Sequence, residues 1–170
     1  VGEHNIDEPK HNGKLRIAKL FTRPKATITE KAREAIFNAD TIILGPGDFY
    51  TNTIANLVVN GVVDALLKSK AQIIFIMNLM TKYGEAYNYK ASTYFDDFAQ
   101  YMPIKRINVV LLNNDKKFPP GAIGKYEDEQ SIPVEDDLDN KLPGTKIVRA
   151  PILSRKAAES QKGDTLKRSM

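Results

Sequence analysis

Two apolar runs, each halted by a turn, constrain this chain more than any other feature. Thr41-Ile42-Ile43-Leu44 runs straight into Gly45-Pro46-Gly47, and Gln72-Ile73-Ile74-Phe75-Ile76-Met77 ends at Asn78. Neither run alternates with polar residues, which is the pattern of a strand buried on both faces, as in a parallel sheet. Residues 107–112 form a third such run. Helical patterns stand between them, and alternation of strand and helix requires right-handed crossovers and a mostly parallel sheet. The expected fold is α/β: a three-layer, mostly parallel Rossmann-like sheet with helices on both faces.

The remaining elements follow from local signals. Residues 15–21 alternate apolar and polar before Pro24 and read as an edge strand. Thr27 with Glu30 gives a capping box opening a helix over 28–38, with Ala32, Ala35 and Ile36 as its buried side. Residues 53–59 read as helical up to Asn60-Gly61. A helix over 62–69 then turns Val62, Val63, Leu66 and Leu67 to the core. Ser92 caps a helix over 93–101. Beyond Asn113 the pattern fades into a loop-rich stretch, 113–145. Its first part, 113–131, carries Pro119-Pro120-Gly121 and reads as a long exposed loop; Ile132-Pro133-Val134 reads as a short extended piece. Residues 146–153 read as a last strand and 155–170 as a polar tail. The 170 residues suit one α/β domain.

The chain has no cysteine, which excludes disulfides, thiolate metal sites and cysteine nucleophiles and suits a cytoplasmic protein. No apolar stretch approaches the roughly 20 residues of a membrane helix, and no signal peptide precedes residue 15. The chain opens on Val1 without an initiator Met, as a trimmed or partial chain would. Net charge is +4, but acidic residues gather at 127–139 and basic ones at 146–168, so a dedicated nucleic-acid face is not expected. His4 and His11 lack a third ligand nearby, so no metal site is expected. Asp96-Asp97 reads as a solvated helix face, and Asp136, Asp137 and Asp139 as a flexible acidic run. Tyr83, Tyr87, Tyr89, Tyr94 and Tyr101 read as core packing and loop anchors.

Ligands of open α/β sheets bind beyond the carboxyl ends of the strands. Two loops hold that position. In the first, Gly45 and Gly47 permit a sharp turn that Pro46 stiffens, and the backbone N–H groups of 48–53 suit an anion at a helix start. Tyr50, Thr51 and Asn52 add an aromatic face and polar groups. In the second, Asn78 stands at the sheet edge, followed by Met80, Thr81, Gly84 and Glu85. Each loop alone serves equally well as a helix cap or turn. Together they form a candidate wall for a phosphate, a ribose or a sugar. No residue is assigned a catalytic role.

At these loops the sequence resembles the CofD/YvcK-like family. Residues 39–51 resemble its AD-hydrophobic-GPGSLYTS segment, 56–62 its NLLVxGI continuation, and 78–92 its NLMTQPGETxGYxAS segment. Order and spacing match over roughly residues 37–112, and the Gly-Pro-Gly-x-x-Tyr-Thr form is closer to the YvcK side. The resemblance implies a small nucleotide-type ligand, a UDP-sugar, and a regulatory role in gluconeogenic growth, cell-wall synthesis and cell shape. The CofD branch would instead imply a transferase that moves phospholactate from a guanylylated donor to a deazaflavin with Mg2+. A third reading is a non-catalytic interaction domain, forming a homodimer. Asp48-Phe49 stands where the family has Ser-Leu, Asn52 where it has Ser, Lys82-Tyr83 where it has Gln-Pro and Ala86 where it has Thr. A carboxylate at Asp48 repels a phosphate unless a cation intervenes. No glycine-rich GGGTG-type loop occurs in the chain, so the resemblance implies an incomplete fold lacking its first third and one side of its cleft.

Overall fold

The computed structural model describes residues 2, 4–7, 9–10, 12–118 and 122–153. Its centre is one parallel sheet of β1 (Thr41–Leu44), β2 (Gln72–Ile76), β3 (Val109–Asn113) and β4 (Lys146–Ala150), in that order. The runs around residues 41, 72 and 107 all become strands, and the parallel α/β sheet is as the sequence implies. The register pairs Ile42 with Ile73, Phe75 with Val110 and Val110 with Ile147. Partners in a parallel register share a face. Ile42, Leu44, Ile73, Phe75, Val110, Leu112 and Ile147 therefore line one face, and all belong to the main core.

Helices α4 (Val62–Lys68) and α5 (Ala91–Phe98) cover that face. Leu66 comes from α4; Phe95 and Phe98 come from α5, their ring centroids 5.1 and 5.7 Å from that of Phe75. Strands in sequential order joined by right-handed crossovers place their connecting helices on one side. The other face carries Ile43, Ile74, Ile76, Val109, Leu111 and Val148, none of which belongs to a core cluster. Burial of β1 on both faces is thus corrected. As a sheet edge in this chain it alternates exposed and half-buried residues, and Ile43 is 59% exposed.

Local geometry revises several further expectations. Residues 15–21 do not pair as a strand. Their polar groups go to side chains of the helical layer: the Leu20 N–H donates to the Tyr101 hydroxyl at 2.8 Å. The first long helix, α2 (Glu30–Asn38), is capped by Thr29, whose Oγ1 accepts from the Ala32 N–H at 3.2 Å. Thr27 instead bridges to Asn60. Ala32 and Ala35 are exposed; only Ile36 of α2 packs on the core, because the helix lies at the sheet's margin against α4. Leu67 is likewise exposed.

Helix α5 begins two residues earlier than expected, and Ser92 is not its own cap. The Asp137 carboxylate, from far along the chain, accepts from the Ser92 N–H at 2.8 Å and its hydroxyl at 2.7 Å. Within 113–131 stands a helix, α6 (Ala122–Asp128). Tyr126 of α6 joins Leu79, Met80 and Leu153 in a second, smaller core. A short helix, α1 (His4–Asp7), precedes all of these. Pro119-Pro120-Gly121 and the tail 155–170 lie outside the described residues.

Two outcomes test this packing. Truncating Phe98→Ala removes a fully buried ring from the sheet–helix contact and should cost about 3–5 kcal/mol in denaturant unfolding. Burial alone would raise the Asp137 pKa, but bonds from Lys141 and Ser92 pull it from 3.8 to about 2. A depressed carboxylate stabilises the fold above its ordinary pKa, and that contribution is lost as pH falls from 3.8 toward 2. Asp137→Asn should lower the melting temperature at neutral pH and flatten the acid slope in that window.

Candidate functional site

β1 and β2 run in the same direction, so the loops after them emerge side by side at one edge of the sheet. Gly45 adopts φ +79°, and a Cβ there would sit 2.8 Å from the Ile76 carbonyl oxygen. Only glycine lets the first loop pass this closely over the end of β2. After Asp48 the chain winds into a π-helical turn, Phe49–Ile54, which continues as α3 (Ala55–Leu57). The buried rings of Phe49 and Tyr50 anchor this turn, packed edge to face at 5.1 Å.

The second loop holds the first through specific bonds. Asn78 Nδ2 donates to the Gly47 carbonyl at 2.9 Å. The side chain of Glu85 is 0% exposed. Its Oε2 accepts from the backbone N–H groups of Tyr50 at 2.7 Å and Thr51 at 3.2 Å, and its Oε1 from the Thr51 hydroxyl at 3.0 Å. The N–H groups of Asn52 and Thr53 both lie 3.1 Å from the Asp48 carbonyl. Four of the amides assigned from sequence to an outside anion are therefore met from within, two of them by the protein's own carboxylate. Burial raises the Glu85 pKa, against the lowering effects of Lys82 and the Tyr50 and Thr51 amides.

Lys82 answers the charge question that Asp48 poses. Its Nζ lies 2.6 Å from Asp48 Oδ2 and 3.4 Å from Glu85 Oε1. The residues at 48 and 82, both departures from the family pattern, are thus partners: one brings a carboxylate and the other the ammonium that balances it.

Behind the first loop lies a second buried carboxylate, Asp97 on α5, which corrects the reading of Asp96-Asp97 as a solvated face. Asp96 is exposed, but Asp97 is only 4% exposed. Asp97 Oδ2 lies 2.8 Å from the Tyr50 hydroxyl and also accepts from the Tyr89 hydroxyl, and Oδ1 accepts from Arg16 Nη2 at 2.6 Å. The Tyr50 hydroxyl also lies 3.2 Å from the Ile17 carbonyl. The signal was available in helical spacing: Asp97 follows Tyr94 by three residues and shares its buried face. The acidic run near 137 is likewise corrected, since Asp136 and Asp139 both bind Arg149, the latter at 2.7 Å.

The residues named from sequence fall into two groups. Tyr50, Met80, Thr81, Gly84 and Glu85 are buried. Met80 sits in the second core, and Thr81 pairs with Ile132 through its N–H at 2.7 Å and its Oγ1 at 3.0 Å. The Gly84 N–H donates to the Gly13 carbonyl at 3.0 Å. Gly45, Gly47, Thr51 and Asn78 are half-buried, and Pro46 and Asn52 are exposed. Asp48 and Lys82, which the sequence noted only as departures, stand with this second group at the surface. Tyr89 and Tyr94 are core residues, with the Tyr94 hydroxyl buried and unpartnered among the described residues. No cluster of three or more His, Asp or Glu residues among the described residues could hold a metal ion, and His11 lies outside them.

Glu85 provides a direct test of this arrangement. Glu85→Ala leaves two buried amides without a partner and should cost about 1–3 kcal/mol in stability. Glu85→Gln, which keeps an acceptor in place, should cost less. A buried carboxyl with a raised pKa stabilises the fold most below its ordinary value of 4.5, and that contribution is lost as pH rises through the folded value. Across a pH series, wild type should lose stability relative to Glu85→Gln as pH increases above 4.5.

Comparison with known proteins places this geometry. The family profile described as 2-phospho-L-lactate transferase CofD matches residues 1–153. The gluconeogenesis factor of Bacillus subtilis (strain 168) is 32% identical over 143 residues, covering 83% of this chain and 45% of that protein. The gluconeogenesis factor of Halalkalibacterium halodurans is 32% identical over 135 residues, covering 79% of this chain and 40% of that protein. A crystal structure of a UPF0052 family member from Bacillus halodurans superposes with a TM-score of 0.84 at 26% identity, covering 99% of this chain and 51% of that one. The chain spans about half the length of the curated relatives it matches, 47% of one from Thermoanaerobacterium thermosulfurigenes. No described helix is long and apolar enough to cross a membrane. With the profile covering most of its length, the chain belongs to the CofD/UPF0052 family, alongside relatives named gluconeogenesis factor.

Proposed function

We propose that the two loops form one wall of a nucleotide-sugar binding cleft in a regulatory protein of the gluconeogenesis-factor type, acting in central carbon metabolism, cell-wall synthesis and cell shape. The supporting observation is the fastening of the two loops to each other at the carboxyl edge of β1 and β2, through Asn78 to Gly47 and Glu85 to Tyr50 and Thr51. This fastening leaves Pro46, Asp48, Asn52, Asn78 and Lys82 along one rim. A prearranged polar rim over a rigid base loses little entropy on binding. Names of the similar proteins favour the regulatory reading. Calorimetry of the full-length gene product with UDP-glucose should show saturable binding; a folded protein that takes up none at millimolar ligand overturns the proposal.

The family profile's own name supports a second reading, transfer of phospholactate to a deazaflavin. On this wall Lys82 Nζ occupies the space between Asp48 and Glu85 where a divalent cation would be held, so the residues here do not fit Mg2+. The transferase reading would need its metal ligands elsewhere. Product formation from a guanylylated donor and a deazaflavin, assayed with the folded full-length protein, decides for it; a flat assay decides against it.

A further inference from the structure

We propose that Asp48 is the specificity-determining residue of this wall, and that it receives a vicinal diol of the ligand rather than its diphosphate. The inference rests on the nucleotide-sugar reading above and orients the ligand within it.

Three observations carry it. First, four of the six backbone donors over 48–53 are engaged: the amides of Tyr50 and Thr51 by Glu85, and those of Asn52 and Thr53 by the Asp48 carbonyl. Second, the ammonium of Lys82 is flanked by two carboxyl groups, at 2.6 and 3.4 Å, so the trio offers no surplus positive charge to an anion. A phosphate brought against Asp48 would also be repelled at close range. Third, the groups left over suit hydroxyls. Among the described residues Asp48 bonds Lys82 through Oδ2 alone, which leaves Oδ1 open, and its side chain is 37% exposed. Beside it, the Asn52 side-chain amide is exposed, and Asn78 uses its Nδ2 on Gly47 while its Oδ1 stays open. A charged acceptor, a neutral acceptor and an amide that both donates and accepts match the hydroxyls of a ribose or hexose. Lys82 holds the carboxylate in position, so Asp48 is presented to the ligand already oriented.

The test separates this inference from the reading beneath it. Full-length protein is titrated with UDP-glucose, UDP, pyrophosphate and two analogues, one lacking the ribose 2′-hydroxyl and one lacking the hexose 2-hydroxyl. In wild type, one of the two deoxy analogues should bind at least tenfold more weakly than UDP-glucose, and which one does so tells whether ribose or hexose meets Asp48. Asp48→Asn should weaken UDP-glucose about tenfold, erase that discrimination, and bind UDP or pyrophosphate more tightly than wild type does. If UDP-glucose binds but both analogues match it, or Asp48→Asn weakens all ligands equally, the inference fails while the binding function stands. If UDP-glucose does not bind at all, the functional reading itself fails. A matched melting temperature for Asp48→Asn excludes simple misfolding, and Asp48→Ser, the residue of the family pattern, should reproduce the shift should the asparagine variant be unstable.

Discussion

A carboxylate with none of its side chain exposed to solvent joins the two loops on which the site is built. Glu85 sits on the second loop and accepts from the Tyr50 and Thr51 amides of the helical turn on the first. Removing a carboxylate from water is costly; the donors within reach offset part of that cost, and burial still raises its pKa. The need for those donors fixes the distance between the loops and the start of the turn at Phe49. It also fixes the position of Lys82, whose ammonium completes the set. Asp97 repeats the device one layer deeper, gathering Tyr50, Tyr89 and Arg16 from three parts of the chain. The first loop is thus held from below by a tyrosine hydroxyl and from the side by its own amides.

This arrangement changes what the loops can do. A helix start with free amides would be a generic anion site. Here four of those amides, from Tyr50 to Thr53, are engaged, and the surface presents side chains as well: Asp48, Asn52 and Asn78, with Lys82 committed to a neighbour. A ligand of the proposed kind would meet hydrogen-bonding side chains there more than free positive charge. The second face of the sheet, half-buried at Ile74, Ile76, Val109, Leu111 and Val148 and exposed at Ile43, belongs to the same picture. Helices α4 and α5 pack on the opposite face, α6 packs in the smaller core, and the chain corresponds to about half of the solved relative, 51% by coverage.

Much of the fold was legible because it rests on local repetition. Unbroken apolar runs gave the strands; Gly45 follows the first of them and Gly61 precedes α4, and both take positive φ. Where the reading failed, the deciding partner was distant in sequence. Residues 15–21 alternate like a strand, but Arg16 and Leu20 bond to tyrosines more than seventy positions away. Ser92 looked like a cap, and Asp137, separated from it by 45 residues, took that role. Asp97 looked solvated because its bonds to Arg16, Tyr50 and Tyr89 cannot be read from the neighbouring residues.

The sequence by itself determined the strand-turn-helix order, the two glycine-bearing loops at strand ends, and the family, since each is written in contiguous residues and their spacing. Tertiary structure decided which polar groups stay open at the surface and which serve the fold. A carboxylate at position 85 and one at position 48 look alike in a linear sequence. Burial and partners separate them: Glu85 is enclosed with donors from the first loop, and Asp48 keeps one oxygen toward solvent because Lys82 takes only the other. Desolvation strengthens such bonds and makes unmet ones expensive, so the assignment depends on three-dimensional enclosure, which no local pattern encodes.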